Sequence, residues 1–377
     1  MNPRFRALGI PLFVSALLVS FGLPLVASAQ AASTTTVYSA QMTKPYLPQG
    51  QNGGTDDYRC FLINPKVTQD SLITQVEFQP QQRFMMHHAI MFLVGKKNLA
   101  EAKQIDNNGT GWPCFGGTGL GSSFSSFLTS PWLSSWAPGR DKDIMPAGYG
   151  TPIAKGDQIV LQVHYNLLMI KMVNGGVVPK DQSKVLITTT PAKGAHLSTL
   201  YSDLIAAPVE LACPAGISGD LCDRGKSLID LAQRTSQSSS MESMGLNLIC
   251  GKNPIKPVPS TTSTCDHKVT QNELVIKATP HMHKLGTSLQ LILNPGTPGE
   301  KILLDRPHYN FDDQSPTVLK TPVALKVGDT VRVVCTFDPT LRQKLPELKK
   351  LPPRYVTWGE GSSDEMCLGV LGVAHQA

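Results

Sequence analysis

Nine histidines stand in this sequence, and five of them fall in three short motifs: Met85-Met86-His87-His88, Gln162-Val163-His164-Tyr165 and Pro280-His281-Met282-His283. Imidazole is the side chain best suited to proton transfer and metal ligation at neutral pH. His281 and His283 are two residues apart, so on extended backbone both rings leave one face and can share an ion. His87 and His88 are adjacent and would leave opposite faces of a regular strand. They reach one ion together only if the chain is twisted or bulged there, or if they use different ring nitrogens. A single motif of this kind is more often a surface or hydrogen-bonded core histidine. Three of them, on or beside expected strands, point to metal. His196, His267, His308 and His375 have no such company and read as ordinary histidines.

Ligand softness narrows the metal. Imidazoles suit copper or zinc, whereas a thioether selects copper, above all Cu(I). The candidate thioether is Met366, in the polar, turn-rich run from Trp358 to Cys367. Core packing is the other reading of that methionine. His87, His88 and His164 alone could hold a hydrolytic zinc with water in the fourth position, but a zinc hydrolase gives Met366 no task.

The elements that must position these residues read as strands. Alternating or β-rich segments run over Leu72 to Phe78, Ala89 to Val94, Gln158 to Tyr165, Val185 to Thr190, Leu274 to Ala278, Ser288 to Leu293 and Thr330 to Phe337. Turn signals such as Asn107-Asn108-Gly109 and Asn294-Pro295-Gly296 separate them. Clear helical periodicity occurs only near Leu228 to Arg234, so the class is an all-β sandwich or barrel. Lys155-Gly156-Asp157 and Val327-Gly328-Asp329 each lead into a strand, a weak repeat that fits two similar β-domains with a boundary near Ala192. Residues 206–263, with three cysteines and the short helix, read as an insertion. The stretch 107–140, holding Trp112, Trp132 and Trp136, reads as a packed loop wall.

Residues 1–29 carry Arg4 and Arg6, an apolar run and Ala27-Ser28-Ala29, the pattern of a cleaved secretory leader. Its removal takes two positive charges and no acids from the formal +6, leaving +4. That is too mild to argue for nucleic acid. No later apolar stretch is long enough to span a membrane, so the expectation is a secreted or periplasmic protein with no membrane attachment after cleavage. All eight cysteines follow the leader, and in an oxidising compartment an even count suggests four disulfides. None forms a Cys-x-x-Cys pair, which argues against thiolate zinc sites.

Taken together, the motifs resemble the type 2 copper, ascorbate-dependent monooxygenases, the family of peptidylglycine α-hydroxylating monooxygenase and dopamine β-hydroxylase. The resemblance is ordered over about 310 residues: Tyr58-Arg59-Cys60, His87-His88, Leu161 to Tyr165, His281 to Gly286, Gly328-Asp329, Cys335-Thr336-Phe337 and Asp364 to Cys367. It implies two jelly-roll-like sandwiches facing each other across a solvent-filled cleft, residues 36–192 carrying one copper on His87, His88 and His164, and residues 193–377 a second on His281, His283 and Met366. It implies Cys60–Cys114 and Cys335–Cys367 bridges, leaving Cys213, Cys222, Cys250 and Cys265 unassigned. Gln162 would face the cleft and Tyr58 would lie near the first copper, with core packing an equal role for the tyrosine. The implied activity is hydroxylation of a C–H bond with dioxygen and ascorbate. A copper-binding protein without turnover is the alternative, and a disulfide-stabilised structural module is a third reading that leaves the six ligands unexplained. The peptide-amidating branch grips a carboxylate through an arginine, an asparagine and a tyrosine, where this chain has Thr279, Leu368 and Val370. Without the guanidinium fork that grip is lost, so the expected substrate is a different small molecule.

Overall fold

The computed structural model describes residues 35–377, apart from 51–54, 115–116, 122–131, 139–141, 168–169, 171–173, 236, 362 and 376–377. The leader read at 1–29 lies outside the described residues, as does part of the 107–140 stretch. All seven segments expected to be strands are strands. Thr330–Phe337 shows why: Val331, Val333, Cys335 and Phe337 face inward and alternate with more open neighbours, the period-2 pattern of a half-buried strand. The two Gly-Asp segments also prove alike. Gly156 and Gly328 both take positive φ, 88° and 93°, a conformation glycine adopts without strain. Asp157 accepts from the amide of Ala154 at 2.9 Å and Asp329 from that of Lys326 at 2.7 Å. Each turn launches the strand that follows.

The strands form mainly antiparallel sheets of the expected all-β class, with Ser198–Thr199 pairing in parallel to Tyr149–Ile153. A five-stranded sheet runs in the order Trp112–Pro113, Asp56–Ile63, Gln158–Asn166, Met86–Val94, Trp132–Trp136. Its inner face, with Phe61, Met91, Leu161 and Val163, packs on Val76, Phe78 and Ile187 of a six-stranded sheet. Two four-stranded sheets follow in the chain. One orders Tyr201–Ala207, Cys367–His375, Glu273–His281, Thr317–Leu325; the other orders Thr262–Lys268, Thr330–Phe337, Gly286–Leu293, Lys301–Arg306. Leu289, Leu291, Val331 and Val333 of the second meet Val275, Leu371 and Val373 of the first in their shared core.

Four disulfides cross the fold. Cys60–Cys114 and Cys335–Cys367 follow the implied pairing, and the four unassigned cysteines pair as Cys213–Cys222 and Cys250–Cys265. Cys335–Cys367 staples two facing sheets. Its partner residue directly follows Met366, so the bridge also fixes where that methionine enters the core. Between the strands lie helices that alternation did not reveal, Lys96–Ile105 and Gln237–Ile249, besides the expected one, observed as Arg224–Arg234. Asp223 caps that last helix by accepting from the Lys226 amide at 2.9 Å.

One buried carboxyl pair makes stability depend on pH. Burial, then the charge of Glu273 and a hydrogen bond with it, pushes the Asp203 carboxyl up to about 7. An unfolded aspartate titrates near ~3.9, so the native state holds this proton more tightly. The stabilisation it brings is complete below about pH 4 and is lost as pH rises through 7. Asp203→Asn is therefore expected to melt a few degrees above the parent at about pH 8 and nearly level with it at about pH 4. Equal differences at both pH values, followed by thermal denaturation, would rule the pair out as the cause.

Candidate metal centre

His164, Tyr58 and His88 lie in one row across three adjacent strands: His164 is paired directly with Tyr58 on one side and His88 on the other. All three side chains leave the outer face of the five-stranded sheet, away from its apolar core. The Tyr58 ring stacks on His164 at 3.9 Å with planes 16° apart. His87 joins them through a bulge, one of the alternatives the sequence left open. The ladder between Met86–Val94 and Gln158–Asn166 slips between Met86 and His88, and His87 is the extra residue. A β-bulge frees one residue from alternation and re-aims its side chain. As a result one nitrogen from each of His87, His88 and His164 lies within 4.8 Å of the others.

The three rings are prepared to ligate. The Nε2 of His164 lies 2.7 Å from Asp56 Oδ1, which fixes the ring as a second-sphere carboxylate does. Its Nδ1 is buried and has no hydrogen-bond partner among the described residues. A buried orphan of this kind costs about 1–3 kcal/mol unless a ligand satisfies it. Burial, and then the neighbouring histidines, hold His87 and His88 well below the usual histidine range. Neutral imidazole keeps the lone pair that a metal needs.

His281 and His283 stand opposite. His281 ends its strand and His283 lies in the following turn, their rings perpendicular with centroids 5.3 Å apart. Nδ1 of His281 is 2.7 Å from Gln314 Oε1, and Nδ1 of His283 is 3.1 Å from the Asp364 carbonyl. Both acceptors select the tautomer with the proton on Nδ1 and the lone pair on Nε2. Burial is the main cause that lowers His281 and takes His283 down to about 3. A small cavity is lined by both rings together with Met366, Trp132, Leu368 and His88. The two ligand sets thus border a common space, and the Phe311 ring sits beside both His87 and His283, at 5.3 and 6.3 Å.

Glu365 ties this second set together. It is fully buried, and its carboxylate accepts from the amides of His283 at 2.9 Å, Leu285 at 2.6 Å and Met366 at 3.3 Å. Burial pushes it up to about 8 against the pull of those amides. Tyr309 closes the turn from the other side: its hydroxyl donates to the Met282 carbonyl at 2.6 Å and accepts from the Met282 amide at 2.9 Å. Sequence reading passed over Glu365, Gln314, Tyr309 and Asp56, since each belongs to a turn or strand end that polar composition explains equally well.

Gln162 does not face the space between the sets. It is fully buried, its Nε2 donating to the Gly117 carbonyl at 2.8 Å and approaching Cys114 Sγ at 3.8 Å. It pins the segment after the Cys60–Cys114 bridge against the sheet. Tyr58 lies at the three-histidine set, with its hydroxyl donating to the Glu360 carbonyl at 2.6 Å. Of the histidines set aside, His267 is 2.7 Å from the Ala206 carbonyl and His375 stacks on Tyr201.

Residues 243–371, which contain His281, His283 and Met366, match the sequence model described as copper type II ascorbate-dependent monooxygenase, C-terminal domain. No curated protein matches the chain. Among solved structures, a fucolectin from striped bass serum aligns with 91% of this chain and 97% of its own at 8% identity and a TM-score of 0.15. The coconut allergen cocosin aligns with 92% of this chain and 87% of its own, also at 8% identity and 0.15. Similarity at that level carries no argument about fold or function.

Proposed function

We propose that this chain is a secreted, copper-dependent monooxygenase that hydroxylates a C–H bond of a small organic molecule, with dioxygen as oxidant and ascorbate as reductant. The observation that carries the reading is the meeting of two ligand sets of different softness at one cavity: His88 of the three-histidine set beside His281, His283 and Met366. Three imidazoles suit copper or zinc, and the thioether favours Cu(I) over zinc. The match of residues 243–371 supports the same chemistry. In this reading residues 36–192 hold one copper, residues 193–377 the other, and residues 1–29 are a leader removed on export. Four disulfides suit the oxidising compartment outside the cytoplasm.

Copper held there would supply one-electron transfer and dioxygen activation, the chemistry a polypeptide lacks. Overall, one substrate C–H becomes C–OH, the second oxygen atom leaves as water, and ascorbate provides two electrons and two protons. The protein's own residues do the positioning. Asp56 orients His164, Gln314 and the Asp364 carbonyl orient His281 and His283, and Trp132 and Phe311 pack beside the rings.

Elemental analysis of the chain from Gln30 onward, loaded from a mixture of copper and zinc, is the test. Two coppers per chain are expected, and His164→Ala should carry one while keeping the fold. Zinc uptake alone, or loss of both ions on removing His164, would overturn the two-site reading. Two coppers without ascorbate-driven, substrate-dependent oxygen uptake would overturn the enzyme and leave a copper-binding protein.

A further inference from the structure

A cavity of about 250 Å³ adjoins the proposed copper sites. It lies between the edge strand Trp132–Trp136 and the open face of the sheet that carries His281. His88, Ile90 and Trp132 line one wall, and Lys277, Thr279 and His281 line another. The last three alternate along Glu273–His281 and so leave one face of the strand. His281 stands at the end nearest the ligand sets. Lys277 stands four residues away, about 13 Å at ~3.3 Å per residue. The cavity thus has ligand histidines at one end, an apolar middle of Ile90, Trp132 and Val370, and an ammonium at the other end.

The ammonium is placed by a missing side chain. Gly372 is the cross-strand neighbour of Lys277, and a Cβ there would come within 2.6 Å of Lys277 Cγ and 3.1 Å of its Cε. The lysine stem therefore lies across the bare backbone of Gly372. Its ammonium reaches Asp143, with Nζ 3.6 Å from Oδ1 and the side chain only 12% exposed. That separation is an ion-pair contact, longer than a hydrogen bond. Nζ also approaches the weak thioether of Met145, at 4.0 Å. Asp143 is held by the Ser134 hydroxyl at 2.8 Å. The ion pair with Asp143, which also lines the cavity, balances the charge, but at 3.6 Å it leaves the three N–H donors without a short hydrogen bond to an oxygen among the described residues. A ligand oxygen entering the cavity could take one. The acids near the mouth are in a different state: Asp312 and Asp313 are exposed, and Asp313 already accepts from the Ser315 amide.

We propose that this cavity takes a small apolar or aromatic carboxylic acid, with its carboxylate on Lys277 and its hydrocarbon end presented toward His281. As a statement about substrate, the assignment rests on the monooxygenase reading; as a statement about binding, it rests on the cavity alone. Lys277 is then the residue that sets specificity, and Gly372 positions it.

Isothermal titration calorimetry with three probes of one skeleton tests this on the full chain, with and without copper: 4-phenylbutanoate, 4-phenylbutanamide and 4-phenylbutylammonium. The acid is expected to bind at least tenfold more tightly than the amide. Lys277→Gln should erase that difference, and Gly372→Ala, which keeps the charge but displaces the stem, should weaken the acid by a similar factor. Tighter binding of the ammonium, no binding by any probe, or a preference unchanged in Lys277→Gln would each overturn the proposal. A chain that binds the acid but takes up no copper refutes the monooxygenase reading alone. One that loads copper but shows no preference for the acid refutes this inference alone.

Discussion

Met366→Leu is expected to leave the chain folded, to reduce copper from two ions to one, and to lower hydroxylation by about 100-fold or more, since even outer-sphere changes at metal sites cost 10- to 100-fold. Leucine nearly conserves the volume of this buried side chain, and swaps of that kind usually cost less than about 1.5 kcal/mol. What disappears is the sulfur. The three-histidine set lies on a different sheet and shares no backbone with Met366, so its copper should stay. Copper counts by elemental analysis and the melting temperature separate the two effects. If the variant retains both ions and full turnover, Met366 is a core residue and the site must be drawn without it.

Glu365→Ala should have the largest effect of any residue outside the six proposed ligands. The carboxylate is the shared acceptor for the amides of His283, Leu285 and Met366. Its removal strands buried donors at about 1–3 kcal/mol each and frees the His-x-His turn from the methionine segment. A loss of about 2–5 kcal/mol would lower the melting temperature by roughly 5–15 °C for a unit of this size. Copper affinity at His281, His283 and Met366 should fall by about 10- to 100-fold, with the three-histidine site unchanged. Glu365→Gln keeps one acceptor oxygen but turns an NH2 toward a backbone donor, so it should fall between parent and alanine. Equal weakening of both sites in Glu365→Ala would mean that the residue supports the fold in general, not this turn.

The legible part of the molecule was what repeats. Thr330–Phe337 and Lys184–Pro191 alternate because one face meets a core and the other meets solvent. Cys367–His375 was harder to delimit because both of its faces are covered and two glycines interrupt it, which blurs the alternation of Leu368 and Val370. Gln237–Ile249 escaped because its first turn is a serine run, which reads as loop. The histidine motifs could be found because their residue types are rare and clustered, and the bulge that is present is one of the ways the sequence left open for His87 and His88 to meet. Glu365 could not be found. Next to Asp364, in a glycine- and serine-rich turn, it looks like a solvated acid, and only the fold brings the amides of His283 and Leu285 to it. Lys277 was hidden for a related reason: its surroundings are set by Gly372 and Asp143, 95 residues downstream and 134 upstream.

The bulge at His87 has a further consequence, one of parity. Ahead of it, Met86 points into the sandwich core; beyond it, Ala89 and Met91 do so while Ile90, Phe92 and Val94 point to the opposite face. Even-numbered side chains face inward before the bulge and outward after it. Sliding the bulge along the strand, or deleting one residue, would therefore evict either Met86 or Ala89 and Met91 from the core, at roughly 1.5–3 kcal/mol for each large side chain. The local irregularity that aims two adjacent histidines at one point is locked by a counting rule that the flanking apolar residues impose. The pair could drift out of alignment only if the interior of the sandwich came apart with it.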